Sequence, residues 1–114
     1  MDLDCVFCRI VRNEVDSTKV FENDNLIVIH DILPKAPVHL LVISKKHIQS
    51  LNEVTEDDRA LVGDMVMVAK DQAKAAGIAE TGYRVLSNVG EHGTQLIPHL
   101  HMQILGGRQL VEEQ

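Results

Sequence analysis

The order of apolar and polar residues along the chain predicts five strands. The segment "VHLLVIS" is apolar on both faces, which is typical of a central strand that is covered on both sides. Asn and Asp residues cluster at 22–25 between two apolar runs and predict a hairpin turn there. The strands are predicted over residues 18–24, 25–31, 38–44, 82–90 and 98–105.

Two further segments have helical spacing. In "CVFCRIVRN", residues 5–13, a short apolar stripe predicts one or two helical turns. A longer helix is predicted to start at the N-cap Thr55, with Asp57 and Asp58 at its positive end, and to stop at Gly77. Strands in hairpin-like order with one long helix predict an α+β fold built on a five-stranded antiparallel sheet, and 114 residues predict a single domain, 1–114.

The long helix carries more apolar surface than one buried face requires. Two stripes lie side by side on it: Leu61, Met65 and Val68, and Val62, Val66 and Ala69. The surplus favours a homodimer, in which a second copy covers the extra face. A deeply buried helix in a monomer is the alternative.

Charge and composition limit the kinds of binding partner that we expect for this chain. The net charge is -6 and the densest basic pair is Lys45-Lys46, whereas a nucleic-acid surface needs clustered Lys and Arg, so we expect no nucleic-acid partner. The longest apolar runs are of strand length, so we expect no membrane partner. The N-terminus "MDLDCVFC" lacks the basic start of a signal peptide, which favours a cytoplasmic protein. In that setting a Cys-x-x-Cys pair is more typical of a metal or redox site than of a disulfide.

One predicted strand, "PHLHMQIL", carries unusual chemistry. His99, His101 and Gln103 alternate there with apolar residues. Since residues two apart share a face of a strand, the three side chains should be neighbours, spaced by roughly 7 Å. A polar solvent-facing strand is the alternative, although Lys, Glu or Thr would be more typical of it. Neutral imidazole is well suited to nucleophilic or acid–base chemistry.

The pattern His-apolar-His-apolar-Gln-apolar-apolar resembles the signature of the histidine-triad superfamily. The segments "CVFCRIVRNEV…KVFENDNLIVIHDILPKAPVHLLVISKKHIQSL" and "GYRVLSNVGEHGTQLIPHLHMQILGGR" resemble the two halves of its short nucleotide-binding hydrolases. The resemblance implies the histidine-triad fold and nucleotidyl transfer from purine nucleoside monophosphate derivatives, such as phosphoramidates or dinucleoside polyphosphates. His101 would attack the α-phosphorus, and water or another acceptor would then release the nucleotide from the covalent intermediate.

The same resemblance implies roles for other positions. Asp31 falls where the family binds ribose hydroxyls. Around the base and sugar it places His30, Ile32, Phe7, Ile10, Ile29 and Leu41. At the phosphate oxygens it places Asn88, Gln95 and the Thr94 amide, with His39 nearby. Ordinary core packing is the alternative for the apolar residues and for His39.

Two positions depart from the short hydrolases. Gln103 replaces the third histidine, as in the nucleotidyltransferase branch of the superfamily. An amide can bind a phosphate oxygen but cannot carry a proton, so we expect a longer-lived covalent intermediate. Leu96 stands where a serine is thought to protonate an amine leaving group, which favours pyrophosphate-type linkages over phosphoramidates.

Cys5 and Cys8 have the spacing of zinc ligands, but one pair is only half of a tetrahedral site. In relatives that bind zinc, the other two ligands occupy the positions of His47 and His99. The resemblance therefore implies a structural zinc with four protein ligands. A redox dithiol and two idle thiols are the alternatives, and no thioredoxin-like βαβ pattern follows the pair.

The departures at Gln103 and Leu96 leave a second function open, a nucleotide-binding regulatory module with weak or no catalysis. A zinc-dependent redox protein is a third. Turnover that disappears in His101→Ala would distinguish the enzyme from both.

Overall fold

The computed structural model describes residues 5–112, and its five strands form one antiparallel sheet in the order β1-β2-β3-β5-β4. Two α-helices accompany it, one short and one long, and two single turns of 3-10 helix precede the long one. The predicted α+β class with a five-stranded antiparallel sheet is therefore confirmed. The strands are β1 Lys19–Glu22, β2 Leu26–His30, β3 Val38–Ser44, β4 Tyr83–Leu86 and β5 His101–Gly106, and the helices are α1 Val6–Val11 and α2 Arg59–Ala75.

Strand β3 lies at the centre of the sheet, as its apolar sequence predicts. Its side chains point alternately to the two faces, and both faces are covered. Leu40 and Val42 pack in the core beneath α2, whereas Leu41 and Ile43 pack against α1. Because β5 pairs with β3, the face beneath α1 also receives alternate residues of β5.

Helix α2 ends as the sequence predicts, but the predicted N-cap Thr55 caps the 3-10 turn Glu56–Asp58, and α2 itself begins at Arg59 after its N-cap Asp58. The Asp58 carboxylate accepts from the Thr55 amide at 3.1 Å in a capping box and from Lys46 Nζ at 2.7 Å. Gly77 follows the helix with φ +79°, a left-handed conformation that suits glycine. Within residues 5–112, no helix is both long and apolar enough to cross a membrane.

The two apolar stripes of α2 are not equally covered. Met65, Val68 and Ala69 are buried in the core. Val66 is 51 % exposed and its neighbour Met67 is 53 % exposed. An apolar strip of α2 therefore remains uncovered in a single copy, and the homodimer stays a prediction.

Two strands differ from their predicted bounds by three residues or more at one end. Strand β4 ends at Leu86 rather than at residue 90, and the next residue, Ser87, uses its hydroxyl to donate to the His101 carbonyl at 2.7 Å. Strand β5 begins at His101 rather than at residue 98, because the chain turns at Pro98 and the His99 amide donates to the Ile97 carbonyl at 2.8 Å. The prediction that His99 shares a regular strand with His101 and Gln103 is therefore wrong.

Candidate active site and metal centre

His101 opens β5 on the face beneath α1, opposite Ile43 of β3. Its side chain is packed edge-on against the Phe7 ring, with centroids 4.9 Å apart, and the residue is only 8 % exposed. The Nδ1 atom lies 2.6 Å from the His99 carbonyl, which can only accept, so Nδ1 carries the proton. Burial lowers the pKa of His101, opposed by this hydrogen bond. The ring is therefore held neutral, with its lone pair on Nε2.

His101 borders an open cavity of about 470 Å³. Two further residues of β5, Gln103 and Leu105, also line the cavity, because they point to the same face of the sheet as His101. A cleft of this size is appropriate for a small-molecule ligand. The remaining lining residues are Phe7, Asp31, Lys35, Leu41, Arg84, Val85, Leu86, Asn88, Thr94, Leu96 and Ile97.

A directional chain of hydrogen bonds fixes the Gln103 amide. The Lys35 amide donates to His39 Nδ1 at 3.1 Å, so the His39 proton is on Nε2, which lies 2.8 Å from Gln103 Oε1. Gln103 Nε2 then donates to Asn88 Oδ1 at 2.6 Å, and Asn88 Nδ2 donates to the Gly93 carbonyl at 2.7 Å. The direction at each link follows from the one before it. This arrangement leaves the second N–H of Gln103 able to donate to a ligand in the cavity.

Asp31 lies at the other end of this network. Its Oδ2 is 3.4 Å from His39 Nε2, and its Oδ1 accepts from the Leu33 amide at 2.9 Å. The carboxylate is thus oriented at the edge of the cavity, where one quarter of its side chain is exposed. A fixed acceptor in this position is suited to sugar hydroxyls.

Gln95 is placed beside the cavity rather than on its wall. Its Oε1 accepts from the Gly90 amide at 3.0 Å, and its Nε2 donates to the carbonyls of Gln49 at 2.8 Å and Ile97 at 3.0 Å. These bonds tie the loop after β4 to the segment after β3. In this structure Gln95 holds the cavity wall in place.

Thr94 lines the cavity, but its amide, the group expected to bind phosphate, donates to the Glu91 carbonyl at 3.0 Å. The residue has φ +57°, the left-handed region, which is uncommon outside glycine and is often found at binding sites. Binding of a phosphate at this amide would require the bond to Glu91 to open.

The residues expected around the base divide into two groups. One group belongs to the buried cluster beneath α1: Phe7, Ile10, Ile29 and Leu41. Phe7 and Leu41 also line the cavity. His30 is exposed and Ile32 is 88 % exposed, and neither belongs to the cavity lining found within residues 5–112.

Two cationic residues in the lining, Lys35 and Arg84, were not identified from the sequence. Arg84 faces the cavity because it pairs with Leu105, two residues along the strands from the pair formed by Leu86 and Gln103, and therefore points to the same face of the sheet. Alternation along β4 could have indicated Arg84, provided that its register with β5 was known. No sequence pattern marks Lys35, because it lies in the loop after β2 and reaches the cavity only through the fold.

Cys5, Cys8, His47 and His99 form one cluster, with ligand atoms all within 4.8 Å of one another. The two Nδ1 atoms are 3.2 Å apart, and Cys8 Sγ is 3.1 Å from His47 Nδ1 and 3.6 Å from His99 Nδ1. Tetrahedral zinc with bonds of about 2.05 Å to nitrogen and 2.3 Å to sulfur would give N–N and N–S edges of about 3.3 to 3.6 Å. The four residues therefore fit a metal ion.

A hydrogen bond and burial leave the Nδ1 atom of His99 available to bind a metal ion. Its Nε2 lies 2.6 Å from the Ser44 carbonyl, so Nε2 carries the proton and Nδ1 presents a lone pair to the cluster. Burial, opposed by this hydrogen bond, lowers the pKa of His99 to about 4, which keeps the ring neutral. His99 also provides the carbonyl that orients His101. One residue, His99, thus joins the candidate metal cluster to His101.

Comparison with known proteins agrees with this arrangement. The family described as "Scavenger mRNA decapping enzyme C-term binding" matches residues 4–111. An uncharacterized HIT-like protein of Chlamydia muridarum is 46% identical over 102 residues, which cover 90% of this chain and 80% of that protein. A HIT family hydrolase from Clostridium thermocellum superposes with a TM-score of 0.95 at 39% identity, covering 99% of this chain and 98% of the other. A zinc-bound histidine triad family protein from Mycobacterium smegmatis superposes with a TM-score of 0.82 at 29% identity, covering 93% of this chain and 76% of the other.

The matched family spans nearly the whole chain, and the Chlamydia relative exceeds the identity at which family membership is secure. The α+β fold, with its five-stranded antiparallel sheet, is that of the histidine-triad hydrolases. The chain belongs to the histidine-triad (HIT) superfamily.

Proposed function

We propose that the protein transfers the nucleotidyl group of nucleoside 5′-monophosphate derivatives through a covalent intermediate on His101. The observation that carries the proposal is the orientation of His101. Its Nδ1–H is bonded to a backbone carbonyl, and its ring is kept neutral by burial beside an open cavity. A neutral imidazole with a free Nε2 lone pair is a good nucleophile towards phosphorus.

Each step balances with the groups present. In the first, the Nε2 lone pair forms a bond to the α-phosphorus, and the bond to the leaving group breaks with its electron pair going to that group. The positive charge that develops on the ring is stabilised by the hydrogen bond from Nδ1–H to the His99 carbonyl. In the second, a water oxygen attacks phosphorus and the N–P bond breaks, which returns the electron pair to Nε2 and releases one proton. A two-step path of this kind replaces one difficult displacement by two easier ones.

The Gln103 amide contributes binding rather than proton transfer. One of its N–H groups is held by Asn88, and the other can donate to a non-bridging phosphate oxygen. A carboxamide cannot supply or remove a proton at this position. The intermediate should therefore break down more slowly than with a histidine there, and an acceptor other than water can compete.

The nucleoside should occupy the side of the cavity next to Asp31, Phe7 and Leu41. Asp31 offers an oriented carboxylate to the ribose hydroxyls, and the two apolar residues offer a surface to the base. We expect a purine, because a larger base covers more of this surface. Binding of adenosine or guanosine monophosphate without turnover would instead favour a regulatory module.

We further propose that the metal held by Cys5, Cys8, His47 and His99 is zinc. Two sulfur and two nitrogen donors suit zinc, and the zinc in the Mycobacterium smegmatis relative supports the choice. With four protein ligands the ion would have a structural role, and would hold α1 beside the segment that leads into β5. Metal analysis of purified protein and of Cys5→Ser tests this, and absence of zinc under metal-replete conditions would refute it.

A homodimer would cover the apolar strip of α2 that includes Val66 and Met67. Met67→Lys should then shift the protein to monomers in sedimentation experiments. An unchanged oligomeric state would show that this strip is not the interface.

The central experiment is to trap the intermediate. The protein is incubated with diadenosine triphosphate or a fluorogenic adenosine phosphoramidate, quenched and weighed by mass spectrometry. We expect one added nucleotidyl group on the peptide that contains His101, and none in His101→Ala. Turnover that persists in His101→Ala would refute the covalent mechanism.

A further inference from the structure

His39 lies between the residue expected to bind ribose and the residue expected to bind phosphate. It belongs to β3, next to β5 in the sheet, and its side chain is completely buried. Its Nε2 atom is 2.8 Å from Gln103 Oε1 and 3.4 Å from Asp31 Oδ2. One ring nitrogen therefore faces an acceptor from each end of the proposed nucleotide site.

One proton of the His39 ring is shared between these two acceptors. The Lys35 amide donates to His39 Nδ1 at 3.1 Å, so Nδ1 carries a lone pair and the proton of the neutral ring is on Nε2. The shorter distance favours the bond to Gln103, but the Asp31 carboxylate carries a negative charge that attracts the same proton. The two acceptors therefore compete for a single N–H group.

A ribose hydroxyl bound at Asp31 shifts this competition towards Gln103. Asp31 Oδ1 already accepts from the Leu33 amide at 2.9 Å, so Oδ2, the oxygen that faces His39, is the more available acceptor for a hydroxyl. A hydrogen bond from the ligand to this oxygen disperses its charge and weakens its attraction for the His39 proton. The Nε2–H group is then donated more completely to Gln103 Oε1.

A stronger hydrogen bond at Gln103 Oε1 favours phosphate binding at the other end of the same amide. Hydrogen bonds in series polarise one another, so an amide whose oxygen accepts more strongly has N–H groups that donate more strongly. One of these N–H groups is held by Asn88 Oδ1 at 2.6 Å, which also fixes the orientation of the amide. The second is the group proposed to donate to the phosphate.

We infer that His39 is a positioning residue, which couples recognition of the ribose at Asp31 to donation by Gln103 at the phosphate. This inference rests on the proposed nucleotidyl transfer. It gives the ribose hydroxyls two effects: one on binding, through Asp31, and one on the rate of the covalent step, through His39 and Gln103. The covalent step itself is unchanged, and His39 keeps its proton throughout.

The test compares two substrates that differ only in the sugar, the 4-nitrophenyl ester of adenosine 5′-monophosphate and its 2′,3′-dideoxy counterpart. The burst of nitrophenolate gives the maximal rate of adduct formation at His101 and the substrate concentration at half of that rate. In the unaltered protein, loss of the hydroxyls should lower the maximal rate and also raise the half-saturating concentration.

In His39→Leu the two effects should separate. The maximal rate with the ribose substrate should fall about ten-fold, which is the effect of losing one buried hydrogen bond, and it should no longer depend on the sugar. The half-saturating concentration should still depend on the sugar, because Asp31 remains. A variant that had merely lost structure would not separate the two parameters in this way.

Three further variants separate the possible failures, and thermal unfolding of each variant identifies those that fold. His39→Gln keeps an N–H donor near the position of Nε2 and should largely restore the dependence of the maximal rate on the sugar. Asp31→Asn keeps an acceptor for the hydroxyl but loses the charge, so its maximal rate should not depend on the sugar. Leu40→Ala, from the same strand but packed beneath α2, should lose stability and keep the dependence.

A maximal rate that depends on the sugar as strongly in folded His39→Leu, or in Asp31→Asn, as in the unaltered protein would overturn the coupling. So would a maximal rate of the unaltered protein that does not depend on the sugar. Absence of any adduct on His101 of the unaltered protein, with either substrate, would instead overturn the proposed function.

Discussion

Removal of the metal should change the tautomer of His101, although His101 is not itself a residue of the metal cluster. The link is His99, whose Nδ1 belongs to the metal cluster and whose carbonyl accepts from His101 Nδ1–H at 2.6 Å. A buried hydrogen bond of this kind contributes about 1 to 1.5 kcal/mol, and 1.4 kcal/mol is a factor of about ten in an equilibrium. Once the His99 carbonyl is free to move, the tautomer with its lone pair on Nε2 should lose about ten-fold in population relative to the other.

The assay is nitrogen NMR of the histidine side chains, because protonated and bare ring nitrogens have well-separated shifts. The metal-loaded protein should show His101 as the Nδ1–H form, and the chelated protein or Cys5→Ser should show a mixture. The rate of adduct formation should fall in parallel, by up to about ten-fold, since only the Nε2 lone pair faces the cavity. Re-addition of zinc to the chelated protein should restore both. An unchanged His101 tautomer in protein proven free of metal would show that the cluster does not orient the nucleophile.

Four further outcomes follow from the same contacts. Because burial lowers the pKa of His101, the acid limb of kcat/KM should lie below pH 6.5, and a limb above that value would contradict the neutral-nucleophile assignment. In metal-free protein, His99 has a pKa of about 4 when folded and about 6.5 when unfolded. Its contribution to the free energy of unfolding is therefore fully present above pH 6.5 and is lost as the pH falls towards 4. Urea titrations over this range should show a loss of roughly 3 kcal/mol, and a free energy of unfolding that does not change with pH would contradict the prediction. Gln103→His should shorten the lifetime of the adduct in a quench-and-weigh time course, and an equal lifetime would rule out a role for the amide. Asp58→Ala should lower the free energy of unfolding by about 1 to 2 kcal/mol, because the Thr55 cap is lost, with no change in His101 adduct formation as its control.

Local signals in the sequence located the secondary structure well where short-range chemistry determines it. Thr55 and Asp58 form the capping box of the 3-10 turn that leads into α2, and Gly77 takes the left-handed conformation after the end of α2. The predicted turn at 22–25 is confirmed, because Asn23 Oδ1 accepts from the amides of Asn25 and Leu26. Each of these features depends on residues within a few positions of one another.

The segment that leads into β5 shows where such signals fail. Alternation of His99, His101 and Gln103 fits a strand, and only the long-range attachment of His99 to the metal cluster and to Ser44 shows otherwise. The same limit applies to Gln95. Its type suggests a ligand for phosphate, but its bonds to backbone groups far along the chain hold the loop in place. Side-chain chemistry alone does not reveal which distant backbone group a side chain will meet.

The family resemblance predicted the four residues of the metal cluster, but it did not identify Lys35 and Arg84 as residues of the cavity lining. Lys35 comes from a proline-rich loop and Arg84 from an edge strand, and only the sheet brings both to the cavity of His101. Neither belongs to the triad motif.

The replacement of a titratable ring by Gln103 changes how the cavity responds to its ligands. The chain from the Lys35 amide through His39, Gln103 and Asn88 has one direction, and every link is determined by the link before it. A histidine at position 103 could reverse part of such a chain by gaining or losing a proton, whereas a carboxamide has no such equilibrium near neutral pH. In the proposed reaction, the donor that Gln103 would present to phosphate would therefore stay the same before, during and after transfer. Constant donation would stabilise the bound nucleotidyl group as well as the transition state, and this is the physical reason to expect an intermediate that persists until a suitable acceptor arrives.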